Sequence, residues 1–304
     1  MATHIQGGDT AAGGIVGEAE DPPVRRHRRL STWIEILVLA IFAVVMLFPV
    51  LWMLETALKN GRDIYAVPAK VITGWTPTLE SFKKVFSADS PVRDGFLNSI
   101  WVAGWSTIIA TGFGVPAAWA YSRFKIPAKK DQLFFILSTR FMPPVVVVIP
   151  IFLMFRLEWI GLLDTRLGLI LVYSAFNLPF TIWMMKGFID EVPAEYEEAA
   201  MLDGWSRFES FWRVTLPLLI PGIAATAVFA LIFSWNEFVF SVFLITTPET
   251  RTAPSAIAGL IGGTTTDWGL VAASAMTFAI PVLIFAFLVR KHLVAGVTLG
   301  AVRR

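Results

Sequence analysis

Runs of apolar residues longer than a soluble helix requires constrain this chain before anything else does. Between Trp33 and Leu54 the only charged side chain is Glu35, and further apolar runs follow at about 96–121, 133–155, 167–186, 216–245 and 270–289. A helix of roughly 20 apolar residues crosses a hydrocarbon core about 30 Å thick, so each run can span a bilayer. The fifth is longer than one crossing needs. Pro217 and Pro221 place its start outside the bilayer core and leave a span over about 222–245. No alternation of the β-barrel kind is present, so helices are the spanning solution that satisfies the backbone. Composition agrees: 56% of residues are hydrophobic and 16% charged, against about a quarter charged in a soluble domain. The expected fold is an all-α integral membrane protein with six transmembrane helices, and an ordinary soluble enzyme is excluded.

Residues 1–29 read as a disordered cytoplasmic tail, small, polar and Gly-rich up to Val24 and then basic over Arg25–Arg29. A basic patch before an apolar run also fits a signal peptide, but this run outlasts the roughly 7–15 residues of a signal core and is read as an uncleaved first span. With the N-terminus inside, fifteen Lys and Arg fall on cytoplasmic segments and nine on the opposite side. Six of those nine lie in the long 59–95 loop, and long loops count least. Both termini are thus placed in the cytoplasm, with residues 293–304 as a C-terminal tail. A net charge of +2 argues against a nucleic-acid binder, and the absence of cysteine removes disulfides and Cys-ligated metal.

Catalytic chemistry is scarce. His4, His27 and His292 lie outside the spans or at their edge, so neither an HExxH zinc site nor an intramembrane Ser–His pair can be built. Ser106 and Ser206, each closing a Gly-Trp-Ser triplet, read as packing or capping serines. No glycine is followed by lysine, so there is no phosphate-binding loop. If ATP drives this protein, another chain hydrolyses it. No metal or cofactor is expected.

The informative stretch is the loop over 190–217, on the cytoplasmic side between spans four and five. Seven carboxylates (Asp190, Glu191, Glu195, Glu197, Glu198, Asp203 and Glu209) are interrupted by Tyr196, Met201, Trp205, Phe208, Phe211 and Trp212. Pro193 suits a first helical position with Glu195 favourable to the helix dipole, and Gly204 suits a left-handed stop. Ser206 and Glu209 form a capping box that opens a second helix, which Leu216-Pro217 ends or bends into span five. The product is a helix–glycine–helix elbow. A surface helix lying on lipid headgroups is the plainer alternative. So many acids oppose adhesion to an anionic leaflet, and the cleft of a protein partner suits the elbow better.

Glu198-Ala199-Ala200, three residues, Gly204, nine residues, Val214, one residue and Leu216-Pro217 resemble the EAA motif of ABC importer permeases, E-A-A-x3-G-x9-I-x-L-P, with Val for Ile. Asn98-Ser99, Phe141-Met142-Pro143-Pro144, Gly161-Leu162-Leu163-Asp164-Thr165, Asp203-Gly204, Trp235-Asn236-Glu237-Phe238 and the ending over 295–302 are similar to the carbohydrate-uptake branch. The tail resembles that of the maltose-type second permease. The resemblance covers roughly residues 30–304. It implies a subunit of a prokaryotic inner membrane that moves a sugar or polyol by alternating access. Its implied partners are a second six-span permease forming a heterodimer, two ATP-binding subunits and an extracytoplasmic solute-binding protein. It further implies that Glu198, Ala199, Ala200, Asp203, Gly204, Leu216 and Pro217 couple to the ATPase. The tail, with Gly296, Thr298 and Gly300, is implied to reach between the ATPase subunits; Gly296 and Gly300 suit a strand-like insert, and a basic stop that obeys the positive-inside bias is the plainer alternative.

Three polar side chains lie deep in the spans: Arg140 in the third, Asn236 and Glu237 in the fifth. Such groups are costly in hydrocarbon and face a bundle interior or a wet cavity. One reading is a polar wall of the solute pathway, with Trp235 or Phe238 as a stacking face for a pyranose ring. The other is a structural Arg140–carboxylate pair, and both stay open. Pro143-Pro144 should break span three. A secondary, ion-coupled transporter is the competing function. It requires repeat symmetry and coupling-ion carboxylates on several spans, where only Glu237 lies deep.

Overall fold

The computed structural model describes the backbone over residues 25–301 except Ile72 and 263–265, and side chains over 32–288 with the same exceptions. Residues 1–24, the larger part of the expected N-terminal tail, lie outside the described residues. Helix α1 (Arg25–Leu58) begins ahead of Trp33 and takes in the basic patch. Then follow α2 (Pro91–Arg123), α3 (Lys129–Thr139), α4 (Pro144–Phe155), α5 (Arg166–Glu191), α6 (Glu195–Leu202), α7 (Arg207–Leu218), α8 (Ile220–Trp235), α9 (Val239–Leu244), α10 (Ala253–Ala258) and α11 (Trp268–Ala301). Among the described residues there is no strand.

Four segments are long and apolar enough to cross a membrane unaided: Thr32–Leu58, Pro91–Arg123, Arg166–Glu191 and Trp268–Leu288. The two other expected spans are not continuous: α3 meets α4 at 86°, and α8, which opens the expected span over 222–245, is bent by 75° from the loop helix α7. The first bend falls at Arg140–Pro143, where consecutive prolines cannot continue the ladder of α3. Arg140 therefore sits at a break and not within a continuous span. The second bend lies at Leu219, between Pro217 and Pro221. The expected fifth span also stops early: α8 ends at Trp235, and a turn over 236–238 precedes α9. Asn236 and Glu237 thus occupy a helix break that no Pro or Gly announces.

The chain divides after Leu51 into two units. In the first, the side chains of 32–51 are exposed. In the second, α2 and α5 pack along each other and α8 packs on both. Small and hydroxylated residues make this approach possible. A Cβ on Gly114 of α2 would lie 2.5 Å from Cγ2 of Thr181 on α5. Ser106 Oγ is 2.8 Å from Ser234 Oγ, which also accepts a bond from Asn177 Nδ2 at 2.7 Å. Hydroxyl and amide bonds of this kind join helices where apolar transfer supplies no attraction.

At one end of this bundle, two separated sequence motifs hold a single segment. Asp164, in the left-handed region at φ 59°, accepts backbone N–H bonds from Thr246 (3.0 Å) and Thr247 (3.1 Å). The hydroxyls of Thr246 (2.9 Å), Thr247 and Thr250 (3.2 Å) donate to the same carboxylate. Burial pushes this carboxyl up, but the bonds from Thr247 and Thr246 outweigh it and bring it down to about 2. Asn98 Nδ2 donates to the carbonyls of Glu249 (2.7 Å) and Arg251 (2.8 Å), and Ser99 Oγ accepts the Ala253 N–H at 2.8 Å.

The backbone of α11 stays helical through Gly296 and Gly300 to Ala301, where a strand-like insert was expected. Side chains beyond Leu288 lie outside the described residues, and with them the contact expected of Gly296, Thr298 and Gly300.

Candidate functional site

The elbow is built from local rules. Helix α6 opens with Glu195, Glu197 and Glu198 in its first turn, where the dipole favours acids, two residues after Pro193. Its end is a complete Schellman motif: the Gly204 N–H donates to the Met201 carbonyl (3.1 Å) and the Trp205 N–H to the Ala200 carbonyl (3.2 Å). That closure needs a left-handed residue, and Gly204 supplies it at φ 95°. Helix α7 then opens with the expected capping box. The Ser206 N–H donates to Glu209 Oε2 at 2.9 Å and the Glu209 N–H to Ser206 Oγ at 3.2 Å. The Ser206 N–H, together with the Ser206 hydroxyl that donates to the same Oε2 at 2.8 Å, holds the Glu209 carboxyl below the usual carboxylate range. The second turn of α7, Phe211–Thr215, is wound wider as a π-helix ahead of Pro217, which offers no N–H to the Arg213 carbonyl.

One acid of the run differs from the others. Glu197 is 3% exposed. Its Oε1 accepts from Arg123 Nε (2.8 Å) and Thr215 Oγ1 (2.6 Å), and its Oε2 from Trp119 Nε1 (3.1 Å). Arg123 also donates from Nη2 to the Val192 carbonyl at 2.7 Å. Glu197 thus ties α6 to the end of α2 and to the π turn of α7. Burial alone would push its carboxyl up; the bonds from Thr215, Arg123 and Trp119 win and hold it down. Behind it, Trp119 packs on Phe211 with ring centroids 4.6 Å apart. Nothing in the sequence separates Glu197 from its six acidic neighbours, because its partners come from residues far along the chain.

With Glu197 as the anchor, the opposite side of the elbow is exposed. Glu198, Ala199, Asp203, Gly204 and Pro217 are exposed and Leu216 half-buried, whereas Ala200 is turned inward and buried. Beside them stand Tyr196, Trp205, Phe208, Trp212 and Leu202, the last 90% exposed. Arg213 lies over the Trp205 ring at 5.2 Å, and Phe208 meets Trp212 edge to face. This is an apolar surface with acids at its edge, carried on a rigid support.

The deep polar residues are only partly brought together. Arg140 and Glu237 line one cavity of about 20 Å³ with Tyr173, Asn177, Phe233 and Ser234. That is room for one water and not for a sugar. Among the described residues no ion pair within 4.0 Å joins Arg140 to Glu237. The guanidinium lies 4.8 Å over the Phe233 ring, and Glu237 Oε1 accepts the Phe240 N–H at 3.2 Å, capping α9. Asn236 is exposed and donates back to the Ile232 carbonyl at 2.8 Å. Trp235 is 3% exposed, stacked on Phe278 at 5.3 Å and bonded to the Phe278 carbonyl. Its ring offers no free face to a pyranose here; Phe238 is the aromatic left exposed.

Apolar helices of spanning length around a polar-sealed bundle, with a capped elbow on one end, define a multi-pass helical membrane protein. The pattern of the family described as "Binding-protein-dependent transport system inner membrane component" matches residues 110–298. The chain is 36% identical over 264 residues to the probable ABC transporter permease protein y4oR of Sinorhizobium fredii, covering 86% of this chain and 92% of that protein. It is 34% identical over 262 residues to the trehalose transport system permease protein SugB of Mycobacterium tuberculosis, covering 84% and 92%. It is 30% identical over 266 residues to the trehalose/maltose transport system permease protein MalG of Thermococcus litoralis, covering 86% and 94%. In fold it is similar to a bacterial ABC transporter involved in the import of the acidic polysaccharide alginate. The TM-score is 0.74 at 24% identity, over 89% of this chain and 99% of that one. The chain belongs to the family of binding-protein-dependent transport system inner membrane components. Within that family it resembles the carbohydrate-uptake permeases of the maltose-type second subunit.

Proposed function

We propose that this chain is a permease subunit of an ATP-driven ABC importer for a sugar or polyol. Counting the bent pair α3–α4 as one crossing, and α8 continued by α9 as another, gives six spans, with both termini in the cytoplasm by the positive-inside bias. The elbow α6–Gly204–α7 then faces the cytoplasm. Its exposed face, with Glu198, Ala199, Asp203 and Gly204 beside the aromatics, seats in a groove of an ATP-binding subunit. The observation that carries this reading is the elbow itself: an apolar surface held from behind by a buried Glu197 network, so that a push on α6 moves α2 with it. The exposed face of α1 suits lipid and the second permease, with which this chain forms a heterodimer. Two ATP-binding subunits and an extracytoplasmic solute-binding protein complete the assembly. The relatives named for trehalose and maltose transport support a saccharide as solute.

The test is reconstitution of the four-subunit assembly in lipid. Solute-loaded binding protein should stimulate ATP hydrolysis and drive uptake, and the purified chain alone should bind no nucleotide. Nucleotide affinity in the isolated chain, or uptake driven by an ion gradient without the ATPase, would overturn the reading.

A further inference from the structure

Phe238 and Arg251 meet at a cavity of about 230 Å³ that neither the elbow nor the Arg140–Glu237 cavity accounts for; Val242, Ser255, Ala258 and Gly259 complete its lining. Phe238, in the turn after α8, is 42% exposed. Arg251 is half-buried, and among the described residues no carboxylate lies within 4.0 Å of it. Its guanidinium makes one long bond, from Nη2 to the Thr246 carbonyl at 3.4 Å. The backbone beneath it is fixed: its carbonyl accepts from Asn98 at 2.8 Å, and the preceding Thr250 donates to Asp164 at 3.2 Å. Gly259 leaves the guanidinium its place, since a Cβ there would lie 3.2 Å from Arg251 Nη1.

A planar cation without a carboxylate partner, on a clamped backbone beside an exposed ring, is prepared for a ligand with two properties. Its fork of N–H donors matches a carboxylate two bonds at a time. The aromatic face accepts an apolar ring face at low ordering cost. Small residues at 258 and 259 leave space for one hexose ring.

We propose that Phe238, Arg251 and Gly259 form a subsite on this chain for a pyranose bearing a carboxylate. The C–H face of the ring rests on Phe238, and the carboxylate meets the Arg251 guanidinium. This rests on the importer reading above and names the substrate class that the importer takes. It also gives the Asn98-Ser99 motif and Asp164 a purpose, because their bonds set the position of Arg251.

The test uses this chain assembled with its partner permease and ATP-binding subunits in nanodiscs, with glucuronate and glucose as probes read by saturation-transfer NMR. Glucuronate should bind more tightly than glucose. Arg251→Gln should weaken glucuronate about 10- to 100-fold, as loss of charge-assisted hydrogen bonds does, and leave glucose unchanged. Arg251→Lys should keep part of the preference, and Phe238→Ala should weaken both sugars. Gly259→Val, which crowds the guanidinium, should weaken glucuronate selectively. Equal binding of the two sugars, or no effect of Arg251→Gln, would overturn the subsite. So would loss of the partner permease from the Arg251→Gln assembly, which would make Arg251 an interface residue. ATP hydrolysis on the same discs separates this proposal from the importer reading. Stimulation by loaded binding protein with an unaltered preference in Arg251→Gln removes the subsite alone. Charge-dependent binding without stimulation removes the importer reading alone.

Discussion

Replacing Glu197 tests whether the elbow is anchored as its geometry indicates. Glu197→Ala removes the acceptor for three donors and leaves Arg123, whose side chain is 11% exposed, without its carboxylate. Breaking a buried ion pair from one side costs about 3–5 kcal/mol. Arg123 keeps its bond to the Val192 carbonyl, which puts the expected loss at the low end, about 3 kcal/mol. Glu197→Gln should cost less, about 1–2 kcal/mol, because one oxygen still serves Arg123 and Thr215 while the new amide opposes the Trp119 N–H. Glu197→Leu combined with Arg123→Met leaves no orphaned charge and should recover most of the stability. The measurement is a double-mutant cycle on thermal unfolding of the purified assembly, with ATP hydrolysis and uptake measured on the same samples. Uptake per ATP should fall in Glu197→Ala, since a loosened elbow no longer carries α2 with it. An unchanged melting profile in Glu197→Ala, or a double variant as unstable as the single one, would refute the anchoring argument.

Further expectations follow from single positions. A Cβ on Gly204 would meet no neighbour within 4 Å, so the cost of Gly204→Val is set by backbone strain, about 1–3 kcal/mol; spans should insert normally while ATP-binding subunits no longer co-purify, and full uptake would contradict the left-handed stop. Gly114→Ala pushes a methyl onto Thr181 and should destabilise the α2–α5 contact by about 1–3 kcal/mol, read as a lowered melting temperature. Asp164 titrates near 2 when folded, below its ordinary value of 3.8. Its contribution is therefore complete above about pH 4 and lost as pH falls toward 2. A melting curve followed over that window should lose this dependence in Asp164→Asn.

Local chemistry was legible in the sequence wherever a residue dictates its own backbone. Gly204 reads as a left-handed stop because only glycine adopts that region freely, and the structure places it at φ 95°. Ser206 and Glu209 read as a capping box because their partners lie three residues apart, and both bonds form. Pro143-Pro144 reads as a break because proline cannot donate, and the chain bends there by 86°. The apolar runs likewise marked the four continuous helices. Pairings across the chain were decided only by the tertiary structure. Seven acids of one loop look alike in sequence, and packing alone sets Glu197 against Trp119, Arg123 and Thr215. The stop at Trp235 carries no Pro or Gly. It is decided by where Trp235 stacks on Phe278 and where Glu237 caps α9. Asp164 and Asn98 read as parts of separate motifs until folding brings both onto residues 246–251. Backbone torsions and i+3 bonds are properties of neighbours in the chain, so a sequence contains them. Burial and long-range hydrogen bonds depend on which helices meet, and that is settled only when the whole bundle packs.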